Sequence, residues 1–304
     1  MSIYLARNGR MLTRLNGTRY FASISYPLPA HTIRLLYTDG FTPTFYKGTG
    51  VQLSSSPNIW DLTYQYTDWD SILEDGGSHH GNQTELLEVL GGNTTGITLT
   101  NGMFNQCHKL RSVAYFDTSA VTSMEGMFRD CHELKDLALL DTSYVTNMNY
   151  MLAGCWALNP VPYFNTSNVT NMNHMFAGAL HYGAAKTIPL FDTSKVTSMY
   201  ETFQGCGVKY VPLLDTSSVT DMRGMFYGAA ALKEIPLFNT SNVTVMNYAF
   251  ENCDNVDTGA LALYQQASSQ ANVPAHIDTF KRTGSLSSTG RAEVAQIPDD
   301  WKGQ

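Results

Sequence analysis

A triplet of Asp or Asn, then Thr, then Ser or Thr begins at Asn93, Asp117, Asp141, Asn165, Asp192, Asp215 and Asn239. The steps between these starts are 24, 24, 24, 27, 23 and 24 residues. A β-branched residue follows each start by four positions, from Ile97 to Val243, and a Thr comes directly after it. A Met stands three residues further on in six copies: Met124, Met148, Met172, Met199, Met222 and Met246. Next comes a Met-Phe pair or a variant, placing Phe104, Phe128, Leu152, Phe176, Phe203, Phe226 and Phe250 in one register. A unit this short cannot bury its own apolar face, so its copies must lie against one another.

The five cysteines fall in the same register. Cys107, Cys131, Cys155, Cys206 and Cys253 each follow the Phe or Leu by three residues, and Ala179 and Ala229 fill that position in the other two copies. A site that takes only Cys or Ala wants a small apolar side chain. No CxxC pair suggests a metal or a local disulfide. The expected inward set is therefore Met124, Phe128, Cys131, Met148, Cys155, Met172, Phe176, Met199, Phe203, Cys206, Met222, Phe226, Met246 and Phe250. The Asp-Thr-Ser triplets read as corners, their side-chain oxygens bonding nearby backbone N–H groups.

Within one copy, Val121 to Met124 reads as a short strand and Met124 to about Cys131 as a short helix or 3-10 turn. The expected fold is an α/β repeat solenoid, with short parallel strands on one side and short helices or 3-10 turns on the other. The expected division is a β-rich segment over 1–60, an N-terminal cap over 61–86, seven repeats over 87–253 and a C-terminal cap over 254–304. That last cap holds a helix from Thr258 to about Ser268 and a degenerate copy, since HIDTFKRT (His276–Thr283) echoes the repeat and Ile297-Pro298 echoes Val161-Pro162, Ile188-Pro189, Val211-Pro212 and Ile235-Pro236. In the N-terminal segment Asp39-Gly40 signals a turn. The aromatic stretch from Asn58 to Leu73 reads as a plug over the first copy's open edge rather than a binding patch.

The chemistry of the chain points away from catalysis. Its eight His share no ligand spacing, and His79-His80 has no carboxylate or Cys cluster beside it. No GxSxG, P-loop or dinucleotide fingerprint occurs. No enzyme activity, cofactor or metal is expected. With a net charge of -7 and no basic stripe, no nucleic-acid partner is expected either. No apolar run approaches the ~18 residues of a membrane span, so membrane insertion is not expected. The opening residues, interrupted by Arg7, Arg10 and Arg14, lack the pattern of a secretory signal.

Binding on the repeats would use outward positions that vary between copies. The candidates are Tyr144, Tyr150, His174, Tyr200, Arg223 and Tyr248, residue types that combine contact area with hydrogen bonding.

The recurring Phe/Leu-Asp/Asn-Thr-Ser-x-Val-Thr-x-Met-x-x-Met-Phe-x-x-Cys resembles the BspA-like leucine-rich-repeat surface proteins over about residues 87–253. The resemblance implies a leucine-rich-repeat-like solenoid used in adhesion or recognition. The segments NGRMLTRLNGTRYF and HTIRLLYTDGFTPTF also resemble N-terminal parts of the phage virion proteins among them. It implies a non-enzymatic virion structural or host-recognition protein of a tailed bacteriophage, oligomeric in its assembly. Its partners would be other virion proteins or a host surface glycan or protein. The alternative is an adhesin on the bacterial cell surface.

Overall fold

The computed structural model describes the backbone of residues 4–6, 10–15 and 18–22, and residues 28–43, 49–64, 84–181 and 187–303 in full. The expected N-terminal cap therefore lies largely outside the described residues, as do His79-His80 and the aromatic stretch beyond Tyr64.

The expectation of an α/β repeat solenoid, leucine-rich-repeat-like, is corrected. The regular structure is an open mixed sheet of six strands, and the described residues hold only two α-helices, both after the last copy. A separate antiparallel sheet joins β1 (Tyr4–Ala6), β2 (Arg10–Leu15) and β3 (Thr18–Ala22). The six-stranded sheet contains β4 (Thr32–Tyr37), β5 (Thr49–Ser55), β6 (Asn58–Thr63), β7 (Leu86–Asn93), β8 (Ser112–Val113) and β9 (Asp136–Leu137), in the order β5-β6-β4-β7-β8-β9. The first three pairings are antiparallel, and β7-β8 and β8-β9 are parallel.

Central position explains why every residue of β4 is buried. Alternate side chains of a strand face opposite ways. Ile33, Leu35 and Tyr37 join the main core, while Leu36 packs with Ile59 and Leu90 in a smaller cluster. Arg34 is buried as well, its guanidinium donating to both carboxylate oxygens of Asp61 on β6 at 2.6 and 2.7 Å. Trp60 packs against the main core and Tyr64 is buried, and β4 occupies the edge of β7 opposite β8.

Among the described residues of the repeat region no helix forms, and the segments equivalent to Val121–Met124 form no regular strand, the two-residue strands β8 and β9 lying elsewhere in their copies; backbone geometry explains why. Each copy places two residues in the left-handed region, four positions apart: Gly126 and Asp130, Tyr150 and Gly154, His174 and Gly178, Glu201 and Gly205, Gly224 and Gly228, Tyr248 and Asn252. An α-helix of L-residues cannot pass through such positions. The hydrogen bonds follow the same alternation. The Met127, Arg129 and Cys131 N–H groups donate three residues back, to Met124, Gly126 and Phe128. Those of Gly126, Phe128 and Asp130 donate instead to Asn149, Met151 and Ala153 of the next copy, at 2.7–3.0 Å. With every second N–H sent to a neighbour, no 3-10 helix can propagate. On the other side of the copy, single parallel bridges replace strands, running Leu99–Ser123–Asn147–Asn171–Ser198–Asp221–Val245–Ala275.

The side chains of the repeat register fill the core between these links. All of the inward set from Met124 to Phe250 is buried. Phe176, Phe203, Phe226, Phe250 and Phe280 stack in sequence with centroids 4.9–5.7 Å apart. The five cysteines are free and buried. Burial pushes the Cys131, Cys155 and Cys253 thiols up from their usual range, and each donates to the carbonyl of a Phe in the preceding copy at 3.1–3.2 Å. At the corners, the Asp or Asn Oδ1 accepts from the Ser backbone two residues on, as in Asp117–Ser119 and Asp215–Ser217 at 2.9 Å. The Thr hydroxyl between them donates to the next copy's corner carbonyl, as Thr118 does to Asp141 at 2.8 Å.

After Cys253 the same links continue through His276–Thr283. Phe280 lies between Phe250 and Trp301, and the Thr283 hydroxyl donates to the Phe250 carbonyl as the cysteine thiols do in their copies. Helix α1 (Ala260–Ser268) starts two residues later than expected, because Thr258 forms a bridge to Glu234 and Gly259 is left-handed. Helix α2 (Ser288–Val294) is capped by the Ser287 hydroxyl, which accepts from the Gly290 N–H at 3.1 Å.

Candidate functional site

Two surfaces of the repeats stand out, a hollow and a row of exposed apolar side chains. The first is a trough of about 700 Å³ that crosses five copies. It begins at Arg129 and Asp130 and reaches Tyr227. Its base is small: Ala153, Gly154, Ala177, Gly178, Gly205 and Gly228. Above Gly178, Gly205 and Gly228 the space is open, since a Cβ there would meet nothing within 4 Å. Glycine is not obligatory at this left-handed position, because Gln106, Asp130 and Asn252 occupy it in other copies. These three successive glycines therefore leave room that the backbone alone did not demand, whereas a Cβ at Gly154 would meet Asp130.

Tyr150, His174 and Glu201 line the trough ahead of the small residues, and Trp156 and His181 after them. Tyr150 stacks on His174 at 4.2 Å, Tyr200 meets His174 edge-on at 4.9 Å, and the Arg129 guanidinium lies 4.8 Å from the Tyr150 ring centre. A parallel stack joins His108, His132 and Trp156 at 4.5 and 3.7 Å. Burial lowers the pKa of His174, with Glu201 Oε2 at 3.4 Å from Nδ1 opposing it. Burial and then His108 lower that of His132. Both imidazoles are therefore held toward the neutral form. A hydrogen bond to Glu201 raises the Tyr200 hydroxyl.

Of the six expected binding residues, the structure brings five together. Tyr150 and His174 line the trough. Tyr200, Arg223 and Tyr248 border an adjoining hollow of about 410 Å³ that shares Glu201, Gln204 and Tyr227 with it. Arg223 is held by Asp221 at 2.6 Å and lies 5.1 Å from the Tyr200 ring centre. Tyr144 is exposed beside a corner and lines neither. Sequence reasoning missed Trp156, His132, Glu201 and Arg129. The first two had a readable signal, because aromatic rings follow Cys107, Cys131 and Cys155 directly in three successive copies.

The second surface is a row of exposed apolar side chains, one per copy, just ahead of the buried Phe or Leu before each corner. Tyr115, Leu139, Tyr163, Leu190, Leu213 and Leu237 are each more than half exposed, from 52 to 63%. With paired backbones about 4.8 Å apart, the row runs about 24 Å.

Among the described residues no group of three or more His, Cys, Asp or Glu could hold a metal ion, and no helix is long and apolar enough to cross a membrane. A family described as Mycoplasma protein of unknown function, DUF285, matches residues 82–182 and 208–273, more than half of the chain. The chain belongs to DUF285. No curated protein and no solved structure matches it. DUF285 is associated with BspA-like repeat proteins. The gap in the DUF285 match, at 183–207, takes in the corner that follows the one 27-residue step.

Proposed function

We propose that this DUF285 chain is a non-enzymatic binding and assembly protein, carried on the virion of a tailed bacteriophage as a structural or host-recognition component. The observation that carries the binding reading is the exposed apolar row from Tyr115 to Leu237. A line of large apolar side chains kept in water, one per copy and in one register, is the mark of a surface that meets another protein. The virion reading rests on the likeness of the N-terminal segments to phage virion proteins. A second reading, an adhesin on the bacterial cell surface, is favoured by the association of DUF285 with BspA-like proteins.

Mass spectrometry of purified phage particles, beside surface-shaved host cells, separates the two. The virion reading expects peptides of this chain in the particles, and their recovery only from shaved cells refutes it. Changing Leu190 and Leu213 to Ser should leave the fold intact, because exposed substitutions cost within about 0.5 kcal/mol. Incorporation into the particle should be lost, and normal incorporation would refute the assembly role of the row.

A further inference from the structure

We propose that the trough between Arg129 and Tyr227 binds a neutral oligosaccharide chain. The proposal rests on the recognition reading above and names its ligand class.

Backbone geometry supplies the first argument. The register position of Gly102, Gly126 and Gly224 is occupied by Tyr150, His174, Glu201 and Tyr248 in other copies, with φ of +51 to +62°. A non-glycine residue in the left-handed region is strained, and such strain gathers at functional sites. Glycine would avoid it, as Gly102, Gly126 and Gly224 do in their copies. Three of these strained residues carry rings and the fourth a carboxylate, and all four border the trough or its adjoining hollow.

Chemistry narrows the ligand. The backbone along the base is already paired, Gly154, Gly178, Gly205 and Gly228 donating to the next copy at 2.7–2.8 Å. An extended peptide cannot add to the trough as a strand, so side chains alone recognise the ligand. Two carboxylates, Asp130 and Glu201, line the trough with the His174 imidazole, which burial holds toward neutrality, and Arg129 is 3.6 Å from Asp130. This lining has no cationic field to draw in an anionic polymer. What remains is aromatic surface interleaved with carboxylate, amide and imidazole groups. A sugar ring matches that mixture, having C–H faces for the aromatics and hydroxyls that both donate and accept. An elongated trough that presents like positions copy after copy suits a chain of such rings.

The test uses the full chain on a printed array of neutral and sialylated oligosaccharides, followed by calorimetric titration of the neutral sugar that binds best. Tyr150→Gly and His174→Gly each install the residue the chain itself uses in register, so they preserve the fold. Each should weaken binding about tenfold or more, as loss of an anchor residue does. Lys135→Ala, outside the trough, should leave binding unchanged. Failure to bind any neutral sugar, or binding by either glycine variant as tight as the parent's, overturns the assignment. So does binding of a sialylated chain that is lost in Tyr150→Gly. A chain found in virions that binds no sugar sinks this inference and leaves the virion reading standing. Sugar binding by a chain absent from virions does the reverse.

Discussion

Phe203 offers the sharpest test of what holds the copies together. It is 1% exposed, and its ring lies 5.5 Å from Phe176 at an interplanar angle of 1° and 4.9 Å from Phe226 at 11°. Replacing it with Ala removes the whole buried ring and leaves a cavity closed above and below by rigid neighbours, which costs about 3–5 kcal/mol. Replacing it with Leu keeps much of the apolar volume and removes two ring pairs, each worth about 0.5–1.5 kcal/mol, for a cost of about 1–3 kcal/mol. The chain itself shows that Leu is accommodated, since Leu152 is fully buried in the same register between the copies of Phe128 and Phe176. Urea unfolding followed by far-UV circular dichroism measures both variants, with an unchanged m-value showing that only stability moved. A cycle of Phe203→Leu with Phe226→Leu should give a coupling of about 1 kcal/mol, because the two rings are in contact. If Phe203→Ala costs under about 1.5 kcal/mol, or if the cycle shows no coupling, the stacked rings are not what binds copy to copy.

Three further outcomes follow from the corners and turns. Thr216→Val should cost about 1–2 kcal/mol, because its buried hydroxyl donates to the Asn239 carbonyl at 2.9 Å. Thr166→Val should be neutral or stabilising, because that buried hydroxyl has no partner among the described residues, and urea midpoints compare the two. Gly228→Ala should cost only the left-handed strain, about 1–2 kcal/mol, since its Cβ enters open space. Gly259→Ala should cost clearly more, because its Cβ would collide with the Ile235 carbonyl oxygen, and equal thermal shifts would contradict this. Bonds from Ser119, Ser194 and Ser217 hold the carboxyls of Asp117, Asp192 and Asp215 below their usual range. A depressed folded pKa contributes stability above the unfolded value, about 3.9, that is lost as pH falls through the folded one. Converting all three to Asn, the residue already present at Asn93, Asn165 and Asn239, should flatten the loss of stability between neutral pH and pH ~2; parallel curves for variant and parent would refute it.

Much of the candidate site was legible only in part. Tyr150, His174, Tyr200, Arg223 and Tyr248 could be picked out as outward positions that vary, because inward positions repeat and outward ones do not. That they adjoin one another follows from the copies being in register. Tyr144 looked equivalent by the same rule, yet it sits at a corner, and composition cannot say which outward positions share a hollow. The carboxylates of Asp130 and Glu201 gave no periodic signal at all, since each occurs once at its register position.

By itself the sequence determined which side chains recur and at what step, and hence which are small, apolar and buried: a Met, a Phe and a Cys or Ala returning every 24 residues or so have no other way out of water. It also determined the corners, because Asp-Thr-Ser chemistry is local and needs only the next two residues. Only the tertiary structure decided that the stretch from Met124 to Cys131 would be neither helix nor 3-10 turn. Its alternate N–H groups are claimed by the neighbouring copy, which sequence periodicity cannot reveal, and the left-handed positions that permit this are filled by Tyr, His, Glu and Asp as well as Gly. Backbone pairing between distant residues overrode the local spacing, and the trough exists because of it.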